Sequence, residues 1–320
     1  MTNLLVIGAT GNIGQPLIRD LQDDPDVHLF AGVHNSEHAK QALNGLKVQV
    51  RRFDFLDPAT FEQALADIDK VFFVRPPQLA KPKEDMYPFL DALVARHVKQ
   101  VVFVSLLGVA HNPMTPHHQI EKRIVELGLP YTFIRPSFFM QNLNTTHQAD
   151  IVGHRDLFVP AGHARTSFID TRDIGATAAV VLRDPAYIGQ KLDITGAQAL
   201  TYADAAQIMT MELGVPITYS KPSLWRFRKV MLQRGLPKNY VNVMVMLYLI
   251  TQLGNAKTVT TTLPNVLGRP LSMAPKVSSA LIPPLKCWLR QQQRRPTSGS
   301  LIAGWTCRRL INCRISLTLF

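Results

Sequence analysis

Three glycines, Gly8, Gly11 and Gly14, stand in "VIGATGNIGQPL" (6–17), directly after an apolar run and before a helical pattern. That spacing serves anion binding by the backbone. Gly8 permits a tight turn, Gly11 lets the main chain approach a pyrophosphate, and Gly14 lets the helix pack closely on the sheet. The helix N-terminus supplies free N–H groups and a partial positive charge. The motif predicts a dinucleotide site over Gly8, Thr10, Gly11, Asn12, Ile13 and Gly14. A second stretch, "MTPHHQIEKR" (114–123), offers His117, His118, Glu121 and Lys122 and no tyrosine. On a helix His117 and Glu121 share one face, and His118 and Lys122 a neighbouring one. His118 and Lys122 mimic a Tyr-x-x-x-Lys spacing with histidine in the tyrosine's place. A histidine can donate a proton near neutral pH. The alternative is a solvated helix face with an i,i+4 ion pair. Tyrosine-driven carbonyl reduction is not expected.

The end of the second apolar run bears on which dinucleotide is bound. A carboxylate there would hold the ribose 2′-hydroxyl of NAD, whereas a basic residue favours the 2′-phosphate of NADP. "GVHNSEHAK" supplies His34, Asn35, His38 and Lys40, with no carboxylate on the strand end. The expectation leans to NADP(H), with NAD and an ordinary polar loop as the alternatives. Asp54 is placed to meet the adenine edge or to cap a helix beginning near Pro58.

The elements that must position these residues alternate. Strands are expected at 3–8, 27–33, 48–53, 70–74, 100–105 and 131–135, with helices at 12–22, 58–66, 84–97 and 115–127. The strands are nearly continuous apolar runs, the mark of a sheet covered on both faces. The alternation predicts an α/β fold, a Rossmann-type doubly wound parallel sheet with a smaller C-terminal substrate lobe. After Arg135 the rhythm changes. "SFFMQNL" is expected to open a helix, 157–170 to form an extended pair around the Pro160–Gly162 turn, and Thr171 to cap a helix over 171–184. A strand follows at 191–195, then a helix over 201–214 capped by Thr201, and helices near 223–234 and 238–253. The expected organisation is a cofactor-binding core over 1–150, the remaining sheet elements and substrate lobe over 151–270, and a poorly ordered basic tail over 271–320.

Composition narrows the function classes. The formal net charge is +12, from 35 basic and 23 acidic residues. Residues 271–320 hold eight Lys or Arg and no Asp or Glu, so the rest carries only +4. A nucleic-acid footprint over the fold is not expected; a tail that touches membrane or nucleic acid is the alternative for that segment. All three cysteines (Cys287, Cys307, Cys313) lie there too, which leaves 1–286 with no disulfide framework or metal-ligand spacing and fits a reducing cytoplasm. The start "NLLVIG" reads as a strand rather than a signal peptide, and the run 241–253 is too short to span a bilayer.

"GATGNIG", "VFFVRPPQ" (71–78), "VVFVSLLG" (101–108), "GLPYTFIRPSFFMQNL" (128–143), "SFIDTRDIGATAA" (167–179) and "LDITGAQALTYADAAQIM" (192–209) together resemble the NmrA-like family. These are atypical short-chain dehydrogenase/reductase relatives that bind NAD(P). The resemblance covers about residues 3–270; the tail departs from the family pattern. It implies either a quinone or azo-compound reductase or a regulator that binds the cofactor without turnover and acts through a protein partner. It further implies that Arg75 and Ser105, after the fourth and fifth strands, lie beside the cofactor. His117 and Glu121 match the family's His and Glu. Phe138, Phe139 and Asn142, after the sixth strand, would roof the nicotinamide and substrate, with core packing as the alternative. The missing tyrosine favours quinones, because hydride addition to a quinone yields a stable phenolate-like anion, whereas an isolated ketone yields a strongly basic alkoxide. The expected partners are a small-molecule acceptor and, compatibly, a second copy in a homodimer.

Overall fold

The computed structural model describes residues 1–269; the basic tail expected over 271–320 lies outside the described residues. Seven strands form one parallel sheet: β1 (Thr2–Ile7), β2 (Val27–Val33), β3 (Gln49–Arg52), β4 (Lys70–Val74), β5 (Gln100–Val104), β6 (Tyr131–Pro136) and β8 (Lys191–Ile194). Their order is β3-β2-β1-β4-β5-β6-β8. The order reverses between β1 and β4, so a crevice opens outside their carboxyl ends, where doubly wound sheets bind ligands.

The continuous apolar runs serve two faces at once. Leu4 and Val6 of β1 pack with Val102 and Val104 of β5 under α1 (Gly14–Leu21) and α8 (Thr171–Arg183). Leu5 and Ile7 pack with Val101 and Phe103 on the opposite face. That face is covered by α3 (Phe61–Ala64), α5 (Tyr87–Ala95) and α6 (Pro116–Glu126). A third apolar cluster forms the smaller lobe. It joins the segment after β6 to α7 (Gln148–His154), α9 (Tyr202–Leu213), α10 (Leu224–Gln233) and α11 (Lys238–Gln252). The last described helix, α12 (Thr262–Leu267), returns to the main sheet, where Leu263 is fully buried.

Several local expectations change. The helix over 84–97 is two pieces, α4 (Pro82–Asp85) and α5, because Pro88 lacks an N–H and its ring crowds the preceding turn. The segment 58–66 likewise splits into a 3₁₀ turn, Pro58–Thr60, and α3. "SFFMQNL" forms only a 3₁₀ turn at Met140–Leu143, since Phe139 is held extended by a bridge to Ile169. The extended pair over 157–170 is not a hairpin: β7 (Arg165–Thr166) pairs antiparallel with β9 (Leu200–Thr201), far along the chain. The cap of α8 is Asp170, whose side chain accepts from the Arg172 N–H; Thr171 is already the first helical residue. The cap at Thr201 is as expected, completed by Asp204 in a reciprocal capping box.

Candidate active site

The glycine segment leaves β1 and enters α1 at Gly14, two residues later than the helical pattern suggests. Gly8 has φ +86°, a left-handed conformation that side chains disfavour. A Cβ at Gly14 would lie 2.3 Å from the Gly8 carbonyl oxygen and 2.7 Å from Ala9 Cα. The close approach that needs Gly14 is therefore within the loop itself rather than against the sheet. The Gly11 N–H donates to the Gly8 carbonyl at 3.0 Å and closes the turn. Ile13, at the N-cap, offers no capping side chain. The N–H groups of Asn12 and Ile13 have no protein acceptor among the described residues, so the helix entrance remains open to an anion. A dinucleotide pyrophosphate fits these donors.

His34 and Asp54 emerge from the ends of β2 and β3 and meet: His34 Nδ1 lies 2.9 Å from Asp54 Oδ2. The other Asp54 oxygen accepts from the Leu56 N–H, so Asp54 holds its own loop and does not cap the turn at Pro58. That turn is capped by Asp57. The His38 side chain lies outside the described residues.

Arg75 directly follows β4 at the carboxyl edge of the sheet. It is buried, and its Nη1 donates to the carbonyls of Pro76, Pro77 and Leu79 at 2.8–3.2 Å, which pins the loop after β4. Burial pushes its guanidinium down to about 10, still charged near neutrality. Ser105, at the carboxyl end of β5, is buried with an Oγ that has no hydrogen-bond partner among the described residues.

His117 is only 2% exposed, and its ring stacks on Phe103 at 5.9 Å. Burial, and then the nearby Arg75 charge, hold its pKa well below the ordinary histidine value. It is therefore held in the neutral form, and proton delivery from an imidazolium at this position near neutral pH is disfavoured. Its Nε2 is buried without a hydrogen-bond partner among the described residues. Glu121 shares that buried face but is bound elsewhere: its carboxylate takes two hydrogen bonds from Arg135 of β6, at 2.9 and 2.5 Å. The solvated i,i+4 ion pair is thus absent from this face. On the neighbouring exposed face Lys122 does form such an i,i+4 pair, with Glu126 at 3.7 Å, and His118 Nδ1 meets the Val109 carbonyl at 3.1 Å. The chain does hold one Tyr-x-x-x-Lys spacing, Tyr187 to Lys191, which sequence reasoning overlooked. It precedes and opens β8 at the amino edge of the sheet, opposite the crevice, and cannot serve this site.

Phe138, Phe139 and Asn142 converge on one narrow cleft between the sheet and the lobe. Its other walls come from residues that the sequence reading did not single out. Phe168 precedes α8, Tyr202 opens α9, His147 precedes α7, and Met244, Leu247 and Tyr248 come from α11. The lining is mostly aromatic. His147 Nε2 lies 2.7 Å from the Tyr248 hydroxyl. Only the composition of the run around Tyr248, a tyrosine inside the apolar stretch 243–250, could have pointed to it.

The arrangement thus has an anion cradle at β1, a polar pair at the ends of β2 and β3, and neutral buried polar atoms at Ser105 and His117. An aromatic slot stands beyond β6. Among the described residues no cluster of His, Cys, Asp or Glu could hold a metal, and no helix is long and apolar enough to cross a membrane.

Comparison with known proteins gives the same picture. The model of the NmrA-like family matches residues 1–266. An NAD(P)H azoreductase from Xenophilus azovorans is 31% identical over 275 residues, covering 83% of this chain and 93% of that protein. In fold, the chain is similar to an NADPH-dependent quinone oxidoreductase from Escherichia coli solved with NADPH. That match has TM-score 0.76 and 24% identity, over 87% of this chain and 99% of that one. It is also similar to a Citrobacter triphenylmethane reductase solved with NADP(H), with TM-score 0.74, 19% identity, and 88% and 100% coverage.

Proposed function

Because the chain belongs to the NmrA-like family, we propose that it is an NAD(P)H-dependent oxidoreductase acting on quinones or similar conjugated acceptors. A reduced nicotinamide bound along the carboxyl edge of the sheet supplies the hydride. Gly8, Thr10, Gly11, Asn12, Ile13 and Gly14 form the seat of the pyrophosphate, with the N–H groups of Asn12 and Ile13 as its open donors. His34, oriented by Asp54, faces the adenosine ribose and favours a 2′-phosphate, and NAD remains a usable cofactor. Arg75 shapes the loop beneath the cofactor, while Ser105 and neutral His117 line its reactive end. Glu121 acts through Arg135, as a positioning residue for β6. Phe138, Phe139 and Asn142 hold a flat acceptor once the walls of their narrow cleft, whose free volume is about 10 Å³, part to admit it.

The observation that carries this reading is the cleft at Phe138, Phe139 and Asn142, apolar and aromatic, on the same sheet edge as the glycine cradle. His117 is neutral there and Glu121 is already paired. A site without a free acid is poorly suited to an alkoxide and adequate for a phenolate-like anion. The test is a panel of quinones with the purified protein and NADPH. Turnover above background is expected, with NADH supporting a lower rate. Tight cofactor binding without turnover, together with a cofactor-dependent change in association, would instead favour the regulatory alternative.

A further inference from the structure

Tyr248 and His147 are about a hundred residues apart in the chain, yet they meet inside the lobe's aromatic core. Both side chains are buried, and both line the cleft beside Phe138, Phe168 and Tyr202. Their hydrogen bond of 2.7 Å joins two polar side chains of a mostly apolar wall that also carries Asn142 and Tyr202. Asp150, one turn beyond His147, is taken up by Arg234 in a two-point ion pair, at 2.9 and 2.5 Å. The titratable groups facing the pair are thus Asp150, Arg234 and the tyrosines Tyr202, Tyr219 and Tyr240.

We propose that Tyr248, held in place by His147, is the hydrogen-bond donor to the oxyanion formed when an acceptor carbonyl is reduced in this cleft. The inference rests on the reductase reading and names the group that stabilises its product. Burial raises the Tyr248 hydroxyl well above the usual tyrosine value and lowers His147 to about 4, so neither ionises near neutrality. Tyr248 therefore acts as a donor and keeps its proton. In the neutral tautomer of His147 that carries its proton on Nε2, the imidazole donates to the Tyr248 oxygen, which leaves the O–H for the acceptor oxygen. The hydride brings two electrons and one hydrogen to the quinone. The resulting quinol anion leaves with its charge on oxygen and takes its remaining proton from water. A hydrogen bond to such a charge in a dry cleft is strong.

The test uses the full chain with NADP⁺ bound and two probes of like shape, 4-nitrophenolate and nitrobenzene. Only the first carries an oxyanion. In Tyr248→Phe the affinity for 4-nitrophenolate is expected to fall about tenfold or more, the size of a hydrogen bond to a charged group. Nitrobenzene affinity should stay within about twofold, since shape is preserved. His147→Phe should weaken the phenolate alone, by less. In turnover, Tyr248→Phe should lower kcat for a quinone. Unchanged phenolate binding in Tyr248→Phe overturns the inference, and so does an equal loss for both probes, which marks a structural role. A wild-type protein that binds the cofactor and reduces no acceptor overturns the reductase reading, and the inference with it.

Discussion

At the residue scale, the account depends most on Gly14. Its missing Cβ is what lets the loop fold back on the Gly8 carbonyl, and the displaced atoms would be backbone rather than a flexible side chain. Gly14→Ala should therefore cost about 1–3 kcal/mol in stability, the usual range for overpacking. It should also lose NADPH binding, as read by quenching or transfer of reduced-cofactor fluorescence. Gly8, Gly11 and Gly14 were legible from spacing alone because the backbone conformation they permit is local. His117 and Glu121 were legible as a pair on one helix face, but not in chemistry. Whether that face met solvent or β6 depended on Arg135, fourteen residues away, and on the Phe103 ring beneath His117.

At the element scale, Glu121 and Arg135 join α6 to β6 across the site's floor. Each side chain is about nine-tenths buried; removing Glu121 leaves the Arg135 charge only Asp193, at 3.8 Å, and removing Arg135 leaves the Glu121 carboxylate without its two donors. Glu121→Ala should cost about 3–5 kcal/mol, visible as a lower midpoint in urea, and Glu121→Gln less. Replacing both partners with well-packed apolar residues should recover much of that loss, the behaviour of buried pairs generally. The seven parallel strands were readable because each is a continuous apolar run. What local pattern could not supply was pairing at long range, such as β7 with β9 or the Phe139–Ile169 bridge that prevents a helix after β6. Cap choice between Asp170 and Thr171 also escaped. Both residue types are good caps, and only Asp170 is additionally held by Gln141 and Arg172.

At the scale of the whole molecule, the lobe is built onto the sheet through buried polar residues, and this makes stability depend on pH. Burial lowers the folded-state pKa of His147 to about 4, from the ordinary 6.5. Unfolded His147 takes a proton below about pH 6.5, whereas the folded form refuses it until about 4. The contribution is therefore complete above 6.5, falls as pH drops towards 4, and amounts to about 3 kcal/mol over that window. His117 shifts in the same direction. Thermal midpoints should decline across this range, and His147→Gln should flatten the decline. The lobe's existence was readable from its helices, but the cleft was not, because its walls come from segments spread from Phe138 to Tyr248. The central claim is that a reduced nicotinamide on the glycine loop passes its hydride to an acceptor in that cleft. It is tested most directly by a single-turnover experiment with the protein saturated with NADPH, mixed with excess quinone. The account predicts loss of the reduced-cofactor absorbance in one phase, slower when the transferred hydrogen is deuterium. Absorbance that persists at saturating quinone, with NADPH still bound, would contradict it.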